Sequence, residues 1–486
     1  MSPKEYLKNK KVLVMGLGGF GGGIASAKWL LANGARVTIT DLKNEVALKK
    51  SLASFSVRQR KNITFVLGRH RKIDFKTNDL IIVNPDVPQT SPFLEIARKY
   101  NKELQNDSSL FFQFTKSPTV AVTGTRGKTT TTNWIAQILS HHFGKMEPIG
   151  NSTKNPLLQN LKNNHTGNTH TAKKPFVIEL SSWQLELALR AERAPHIAVI
   201  TNLYPDHLNR HKTMEEYAEA KANIFANQNQ ENFLILNYNN PWTKFFLNKK
   251  PKAQVFFFST KILPKNVNGV FVNDDKIIFQ NNGVPKIIAS VVDFEKKWGQ
   301  HNLANLLAST LAITLYDLSI HITRKVVQSL TEIYLRQETV YEDKNLLVIN
   351  DSASTSPDAL ISAVLRFGQK NLDKKHTSVF ICGGTRKNLP FDKVTKILKQ
   401  NVMPQNLIFL SGTATDDLIC ELKKINYFKQ TPQVFDTLKE CWIYALKLTG
   451  FTSKTVVFSP GAASFEKFKN EFDRGEQFNK LVEKLK

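Results

Sequence analysis

Short apolar runs recur along this chain, and most of them lead into a glycine-rich or polar segment. The first two runs cover Val12–Met15 and Arg36–Thr40, and a helix-like stretch at about Ile24–Asn33 separates them. Compact runs rich in β-branched residues predict strands, whereas apolar positions three and four residues apart predict a helix. The order strand, helix, strand begins a βαβ unit and predicts a parallel sheet.

The strand-then-loop order recurs in two more parts of the chain. A second unit begins near Ser117 with the run PTVAVT, and a third begins near Leu335. Residues 255–292 contain short runs between Asn-Gly turns, which predict a small β excursion, and residues 298–316 predict one long apolar helix. We therefore expect three successive α/β units with parallel sheets, which bind ligands at the carboxyl ends of their strands.

Composition restricts the partners. The formal net charge of +26 favours an anionic partner, namely nucleic acid, anionic lipid or a phosphorylated substrate. The basic residues are spread along the chain without a nucleic-acid-binding motif, so we expect no nucleic acid. Cys382, Cys420 and Cys441 are odd in number and far apart, which predicts neither disulfide nor zinc site. With no signal-peptide pattern and no run of about 18 apolar residues, we expect a cytoplasmic protein without membrane insertion.

The loop after the first strand has the pattern G-x-G-x-x-G over Gly16–Gly21, and Asp41 ends the next strand. In dinucleotide-binding domains such a loop approaches a pyrophosphate and the acid holds a ribose hydroxyl. Alone, the pattern indicates an NAD-dependent oxidoreductase, but other nucleotides and tight packing use similar loops. The nucleotide-binding candidates are Gly18, Gly19, Phe20 and Asp41.

A second glycine-rich loop lies between the strand PTVAVT and a helix predicted at about Thr131–His141. Unlike the common phosphate loop G-x-x-x-x-G-K-[ST], it has Val122 in place of the first glycine, so the loop is shorter. Backbone N–H groups at a helix N-terminus bind anions, a lysine reaches β and γ phosphates, and a threonine hydroxyl binds Mg²⁺. The predicted ATP contacts are Gly124, Thr125, Arg126, Gly127, Lys128, Thr129 and Thr130.

This second loop, read with four later blocks, resembles the Mur ligases, the ATP-dependent amide ligases of peptidoglycan synthesis. The blocks are ELSSWQLE at 179–186, TNLYPDHLNRH at 201–211, NDS at 350–352 and SPGAASFEKFKN at 459–470 with Arg474 and Gly475 after it. They occur in the family's order, and together with the first glycine loop they extend over nearly the whole chain. The resemblance implies an α/β protein of three domains: a Rossmann-like N-terminal domain (residues 1–116), a central P-loop ATPase-like mononucleotide-binding domain (117–333) and a Rossmann-like C-terminal domain (334–486).

The resemblance also implies a reaction. ATP phosphorylates the carboxylate of UDP-N-acetylmuramoyl-L-alanine, the amine of D-glutamate attacks the acyl phosphate, and phosphate leaves. Both steps concentrate negative charge, which basic side chains and Mg²⁺ stabilise. We therefore expect ATP and two Mg²⁺ ions as cofactors, the two small molecules as substrates, and a monomer.

The resemblance assigns catalytic and metal-binding roles to a few residues, some of which are unusual in their local pattern. Glu179 follows an apolar strand, where an unpaired carboxylate is costly to bury. Lys221 lies on a helix that the capping pattern Thr213–Glu216 begins, on the same face as Tyr217, Ile224 and Phe225. A solvated strand end and a lysine extending to solvent are the alternatives. The implied catalytic residues are Lys128, His207 and carbamylated Lys221, and the implied metal ligands are Thr129, Glu179, His207 and Lys221.

Further residues match positions that bind substrates in the family, although each also fits an ordinary loop residue. The ATP contacts are Asn302, Arg336 and Asp351; the UDP-substrate contacts are Asn151, Ser181 and Gln184; the amino-acid contacts are Thr355, Lys387 and Ser464. A basic side chain with hydroxyls suits a dicarboxylate such as glutamate.

Three positions depart from the family's blocks. Ala353 stands where a lysine is frequent, Asn209 replaces an aspartate, and Phe472 is displaced by one residue. These changes lie partly in the amino-acid pocket and leave another Mur-type ligase or a folylpolyglutamate synthase-like ligase as the alternative. An oxidoreductase leaves the second loop, Glu179 and His207 unexplained. A nucleic-acid-binding ATPase rests on the basic charge alone.

Overall fold

The architecture is that of a computed structural model. It describes residues 1–18, 21–151, 155–163, 174–187, 193–208, 210–316, 324, 327, 329–368, 376–448 and 453–485. The chain divides into two compact units. The first comprises Met1–Phe294 with Asn302–Leu330, and the second comprises Glu295–His301 with Thr331–Lys486.

The first unit begins with a parallel five-stranded sheet in the order β3-β2-β1-β4-β5. Its strands are β1 (Lys11–Met15), β2 (Arg36–Asp41), β3 (Ile63–Leu67), β4 (Leu80–Val83) and β5 (Glu103–Gln105). The associated helices are α1 (Pro3–Leu7), α2 (Gly22–Ala32), α3 (Glu45–Ala53), α4 (Val57–Lys61), α5 (Lys72–Thr77), α6 (Pro92–Lys99) and α7 (Asp107–Phe114). The strand order reverses between β1 and β4, which places the loop after β1 at the switch point where α/β sheets bind ligands.

The second sheet of this unit has nine strands in the order β14-β13-β12-β11-β10-β9-β6-β8-β7. Its strands are β6 (Thr119–Thr123), β7 (Ile149–Gly150), β8 (Phe176–Glu179), β9 (Ile197–Ile200), β10 (Phe233–Asn237), β11 (Gln254–Ser259), β12 (Gly269–Asn273), β13 (Lys276–Asn281) and β14 (Val284–Ser290). The helices are α8 (Lys128–Phe143), α9 (Ser182–Leu185), α10 (Met214–Ala222), α11 (Thr243–Asn248), α12 (Val292–Trp298) and α13 (Leu303–Leu315). Of α12, the residues up to Phe294 belong to the first unit and those from Glu295 to the second.

The segment 255–292 is built of strands, as predicted: β11 and β12 continue the parallel sheet, and β13 and β14 extend it antiparallel. The prediction of one long helix over 298–316 was wrong at its start. The helix α12 ends at Trp298, a 3₁₀ turn follows at Gln300–Asn302, and α13 covers only Leu303–Leu315. Gly299 has a φ of +74° at this break, a conformation that ends helices.

One continuous hydrophobic core joins the two sheets of the first unit. It includes residues of β1, α2 and α7 together with residues of β8, β9 and α10. At the junction, Phe111 of α7 packs edge-on against Phe176 of β8 with ring centroids 5.4 Å apart. The packing between the two sheets is therefore continuous with their cores.

The second unit contains a six-stranded sheet in the order β15-β16-β20-β17-β18-β19. Its strands are β15 (Glu338–Glu342), β16 (Leu346–Asn350), β17 (His376–Cys382), β18 (Leu407–Leu410), β19 (Gln433–Phe435) and β20 (Ser453–Phe458). The helices are α14 (Pro357–Phe367), α15 (Asp392–Asn401), α16 (Thr413–Lys424), α17 (Leu438–Lys447) and α18 (Glu471–Val482). All pairs are parallel except β15 with β16, so the prediction of a purely parallel sheet was wrong at this edge.

Cores lie on both faces of the third sheet. The three cysteines are free, with Cys382 and Cys441 buried and Cys420 exposed. Across the described parts of the chain, every helix is too short or too polar to cross a bilayer.

Candidate active site

The phosphate loop after β6 needs glycine at two positions. Gly124 has a φ of +148° and Gly127 a φ of +80°. A Cβ on Gly124 would lie 1.9 Å from Oγ1 of Thr201, and a Cβ on Gly127 would lie 2.1 Å from Oδ1 of Asn305. No side chain fits at either distance, so the loop closes against β9 and α13 because both residues lack one.

The lysine of this loop folds back over it. Nζ of Lys128 donates to the carbonyl oxygens of Gly124 at 3.0 Å and Thr125 at 3.2 Å. Thr129 and Thr130 follow in the first turn of α8, whose N-terminal N–H groups attract anions. The loop thus offers a cation, hydroxyls and a helix N-terminus at one place.

An ion pair that the sequence did not reveal connects the loop to the segment after β9. Nη1 of Arg126 lies 2.8 Å from Oδ2 of Asp206, and the backbone N of Arg126 donates to Oδ1 of Asn202 at 2.9 Å. Asp206 also accepts from the backbone N of His207 at 2.9 Å. Asp206 therefore contacts both Arg126 of the phosphate loop and the backbone of His207.

Lys221 is 1% exposed and belongs to the phosphate-loop cluster. Its Nζ donates to the carbonyl of Gly124 at 2.9 Å and lies 4.5 Å above the ring of Tyr217. Burial, reinforced by the positive charge of Lys128 and opposed by Asp206, lowers the pKa of Lys221 well below its usual range. The neutral amine that this favours is the form that can react with CO₂ to give a carbamate.

The helix that carries Lys221 differs slightly from the prediction. Thr213 caps α10 by accepting from the backbone N of Glu216 at 3.1 Å, but Glu216 accepts from Lys212 instead of returning to Thr213. Because α10 ends at Ala222, Ile224 and Phe225 lie beyond it, although both are buried.

A histidine beside Lys221, His211, was not among the residues predicted from the sequence. The ring of His211 stacks on Tyr217 with centroids 5.1 Å apart, and its Nε2 is 3.0 Å from Oγ of Ser182. Burial and the positive charges of Lys221 and Arg210 lower the pKa of His211 to about 4. The histidine is therefore neutral at physiological pH, and its place in the TNLYPDHLNRH block was the available signal.

Glu179 ends β8 beside the phosphate loop. It pairs in register with Val122 of β6 and is 7% exposed. Its Oε1 accepts from Nδ2 of Asn151 at 3.1 Å, and its backbone carbonyl accepts from the N of Asn151 at 3.0 Å. Two predicted site residues from different segments are thus joined at the carboxyl edge of the sheet.

His207 has an uncommon backbone conformation. Its φ is +55°, which residues other than glycine seldom adopt, and such strain is concentrated at functional sites. The ring meets Trp183 edge-on at 5.6 Å and Tyr217 at 6.1 Å, and Nε2 is 3.8 Å from Oδ2 of Asp206. The imidazole side chain is part-exposed.

The adenine candidate Asn302 connects to the phosphate loop through one neighbour. Its Oδ1 accepts from Nδ2 of Asn305 at 3.0 Å. Asn305 is the residue whose side chain contacts Gly127. Asn302 thus lies at the start of α13, close to the end of the phosphate loop.

In the first sheet, the carboxylate of Asp41 accepts hydrogen bonds from the backbone of the first glycine loop and of its own segment. Asp41 accepts from the backbone N of Leu17 at 3.0 Å and of Lys43 at 2.9 Å. Gly18 has a φ of +67°, and a Cβ there would lie 2.5 Å from Nδ2 of Asn84. Asp41 therefore organises the loop as well as lying where a ribose is expected.

Two of the four predicted nucleotide contacts of the first sheet, Gly19 and Phe20, lie outside the described residues. So does Asn209, the position that departs from the family's D-H block.

Ser181 and Gln184 form a complete capping box at the start of α9. The backbone N of Gln184 donates to Oγ of Ser181 at 3.2 Å, and Oε1 of Gln184 accepts from the N of Ser181 at 3.1 Å. Nε2 of Gln184 donates to Oδ2 of Asp107 at 3.2 Å, and Nδ2 of Asn106 donates to the Gln184 carbonyl at 2.7 Å. Burial raises the pKa of Asp107. Both predicted UDP-substrate residues thus lie where the two sheets of the first unit meet.

In the second unit, Asp351 follows β16 and is buried. It accepts from Oγ of Ser459 at 2.8 Å and from the backbone N of Gln337 at 3.1 Å. Burial, opposed by Ser459 and the charge of Arg336, raises the pKa of Asp351 to about 7. Both predicted ATP contacts of this unit therefore belong to one electrostatic cluster.

The amino-acid candidates come together at the carboxyl edge of the same sheet. Nζ of Lys387 donates to Oγ1 of Thr355 at 3.3 Å. Thr385 pairs with Ala463, which brings Ser464 to the same edge. The Ser464 hydroxyl is buried and has no hydrogen-bond partner within the described part of the chain.

Arg474, which the sequence gave no role, holds these loops. It is fully buried and donates to the carbonyls of Ala462 at 3.0 Å, Ala463 at 3.2 Å and Ser352 at 2.8 Å. Burial lowers the pKa of Arg474 to about 10. Arg474 thus connects the loop after β16 with the loop after β20 and stabilises both.

The donor set near the phosphate loop suits Mg²⁺ chemically. Mg²⁺ takes oxygen ligands and keeps several waters, so one or two protein oxygens together with phosphates are sufficient. Glu179 and Thr129 supply such oxygens. Among the residues that the structure describes, no three His, Cys, Asp or Glu side chains gather into a preformed metal cluster.

Comparison with known proteins identifies related sequences. The model of the Mur ligase middle domain matches residues 122–313, and that of the Mur ligase MurD-like N-terminal domain matches residues 10–105. A UDP-N-acetylmuramoylalanine–D-glutamate ligase of Roseiflexus sp. is 34% identical over 481 residues, covering 98% of this chain and 99% of that one. The enzyme of the same name from Borreliella afzelii is 34% identical over 488 residues, covering 99% of both chains.

Solved structures share the fold at lower identity. The UDP-N-acetylmuramate-alanine ligase of Thermotoga maritima superposes with a TM-score of 0.56 at 18% identity, covering 98% of this chain and 100% of that one. The MurF ligase of Thermotoga maritima in complex with ADP gives a TM-score of 0.53 at 17% identity, covering 99% and 97%. With two domain models matched over more than half of its residues and full-length relatives at 34% identity, the chain belongs to the Mur ligase family.

Proposed function

We propose that this chain is an ATP-dependent amide ligase that adds D-glutamate to UDP-N-acetylmuramoyl-L-alanine in peptidoglycan precursor synthesis. The observation that carries this proposal is the convergence of the phosphate loop, Lys221 and Glu179 at the carboxyl ends of neighbouring strands. Its full-length relatives bear the name of this activity. The acceptor is the part of the proposal that the departures at Ala353 and Phe472 leave most in need of a test.

The residues of the phosphate-loop cluster have separable tasks in ATP binding. Gly124 and Gly127 let the backbone close around phosphate, and the N-terminus of α8 attracts its charge. Lys128 turns from the loop carbonyls toward the γ-phosphate when ATP is bound. Arg126 holds the loop against Asp206, and Asn302 contacts adenine.

Lys221 becomes a ligand by carbamylation: its neutral amine adds to CO₂, forming an N–C bond and releasing one proton. The buried position excludes water and favours the neutral amine. We propose that the carbamate, Glu179, His207 and the Thr129 hydroxyl hold two Mg²⁺ ions. When bound, these ions neutralise charge on the phosphates and on the acyl phosphate that forms.

The remaining assignments are also proposals. The UDP-substrate is bound by Gly18, Gly19, Phe20, Asp41, Asn151, Ser181 and Gln184. In the second unit, Arg336 and Asp351 contact ATP, and Thr355, Lys387 and Ser464 bind the carboxylates of the amino acid. We further propose domain boundaries at residues 116/117 and 333/334, a monomeric state and a cytoplasmic location.

The decisive experiment offers the protein ATP, Mg²⁺ and UDP-N-acetylmuramoyl-L-alanine with a panel of single amino acids. Phosphate release and product mass are measured for each. We expect D-glutamate to give the product mass of the amide with one phosphate released per amide formed. Product with another amino acid instead would correct the acceptor, and no product with any amino acid would overturn the proposal.

A further inference from the structure

Arg210 bonds segments that belong to the two sheets of the first unit. Its guanidinium binds Glu186 through two hydrogen bonds, of 3.0 Å from Nε and 2.7 Å from Nη2. It also donates to the carbonyls of Pro85 at 3.1 Å, Asp86 at 3.0 Å and Val87 at 2.8 Å. The side chains of Arg210 and Glu186 are 10% and 12% exposed, so water screens these bonds weakly.

The turn that Arg210 holds is continuous with the first glycine loop. Pro85–Val87 follows Asn84 at the end of β4, the strand beside β1. Nδ2 of Asn84 is 3.4 Å from the carbonyl of Gly16, and Asn84 fills the space beside Gly18. Moving the turn would therefore move the wall of the nucleotide loop.

The other side of Arg210 reaches the catalytic cluster. Its guanidinium carbon lies 5.4 Å from the ring centroid of Trp183, a cation–π contact. Trp183 in turn meets the ring of His207 edge-on at 5.6 Å. Glu186, the anion of the pair, follows α9, whose capping residues are Ser181 and Gln184.

We propose that Arg210 is a positioning residue that fixes the nucleotide loop of the first sheet relative to His207. The proposal rests on the ligase function proposed above and adds to it a specific determinant of how the UDP-substrate is placed. Arg210 touches neither the phosphate loop nor any residue proposed to contact ATP. Its loss therefore misplaces one substrate and leaves the binding of the other intact.

The test compares wild type, Arg210→Lys and Arg210→Ala at a temperature well below unfolding. Lysine keeps the charge but loses the planar fork that bonds Glu186 and three carbonyls together. We expect KM for UDP-N-acetylmuramoyl-L-alanine to rise about tenfold in Arg210→Lys and further in Arg210→Ala, since the binding geometry is lost in the ground state. We expect kcat to fall by about 10–100-fold, because misplacement by an ångström costs about 100-fold. KM for ATP should stay within about twofold.

Two further variants separate positioning from loss of structure. Arg193 also donates across the junction, to the carbonyl of Thr115, but it lies outside the Trp183–His207 contact. Arg193→Ala should leave KM for the UDP-substrate within about twofold. Glu186→Gln should raise this KM, and combining it with Arg210→Lys should add little, because both act through one ion pair.

A purely structural role would lower the active fraction and hence the apparent kcat, with both KM values unchanged. A lower apparent kcat with both KM values unchanged would overturn the proposal. So would an equal rise in both KM values, or a rise in KM for the UDP-substrate of Arg193→Ala as large as in the Arg210 variants. If wild type itself forms no amide, the proposed function has failed; if wild type is active and Arg210 variants keep wild-type KM, only this inference has failed.

Discussion

Gly127 lies where the phosphate loop enters α8, and its replacement by alanine tests the geometry of the whole site. Its φ of +80° is unfavourable for alanine, and the new Cβ would lie 2.1 Å from Oδ1 of Asn305. Asn305 can avoid this contact only by rotating away, which breaks its 3.0 Å hydrogen bond to Asn302. The substitution thus adds strain and removes a bond in one place.

The cost can be worked out from these two terms. The left-handed conformation costs an L-residue about 1–2 kcal/mol. The lost hydrogen bond costs about 1 kcal/mol. If the loop relaxes in the free protein and must return to its native form around ATP, the sum of about 2–3 kcal/mol weakens ATP binding by about 30–150-fold.

A matched control is present at the other end of the same helix. Gly144 follows α8 with a φ of +73°, but nothing lies within 4 Å of a Cβ placed there. Gly144→Ala should lower the free energy of unfolding by about 1–3 kcal/mol, because a φ of +73° with a ψ of 179° is a region that residues other than glycine seldom adopt. It should leave the ATP affinity unchanged. Gly127→Ala combined with Asn305→Ala should regain part of the affinity relative to Gly127→Ala, because the obstructing side chain is gone.

The assay is calorimetric titration with ATP, with urea unfolding to check stability and Asn305→Ala alone as a further control. Our reasoning would be refuted by a Gly127→Ala protein that binds ATP within about twofold of wild type. It would equally fail if Gly144→Ala lost ATP affinity to the same extent.

Three further predictions address other parts of the site. Lys221→Ala should abolish amide formation, with partial rescue by short carboxylic acids that replace the carbamate; full activity of the variant in a phosphate-release assay would exclude this role. Ser464→Ala should raise KM for D-glutamate while the urea midpoint stays equal or increases, since a buried hydroxyl without a partner costs about 1–3 kcal/mol; a lower midpoint with unchanged KM would contradict it. Because burial raises the pKa of Asp351 to about 7, the native protein holds a proton there that the unfolded chain releases above pH of about 4. That contribution is complete below the unfolded pKa and is lost as the pH rises through about 7, so wild type should lose stability between about pH 4 and 7 relative to Asp351→Asn. Parallel urea midpoints for the two proteins would disprove the shift.

The glycine loops illustrate what could be predicted from the sequence. Each lies between an apolar strand and a helix, and the positive φ of Gly18, Gly124 and Gly127 is a property of the local backbone. The positions of most strands could likewise be predicted, because each strand is a short apolar run. The antiparallel edges β13–β14 and β15–β16 were missed, because strand direction depends on pairing with distant segments.

Side-chain partners were the harder part of the site. Glu179 and Lys221 were unusual enough in their local pattern to be noticed, since a charge in an apolar setting is costly. Asp206, His211 and Arg210 gave no such signal, because each stands in a polar segment where charged residues are ordinary.

The sequence alone determined the order of elements, the places where the backbone must be glycine and the family to which the chain belongs. The first two depend on periodicity and backbone preference over a few residues, whereas the family was indicated by the resemblance of the sequence blocks. Only the tertiary structure decided which partners meet: Arg126 finds Asp206 across 80 residues, and Arg210 reaches Asp86 across 124. Such pairs are set by the strand order of the sheets, which brings the carboxyl ends of distant strands to one edge.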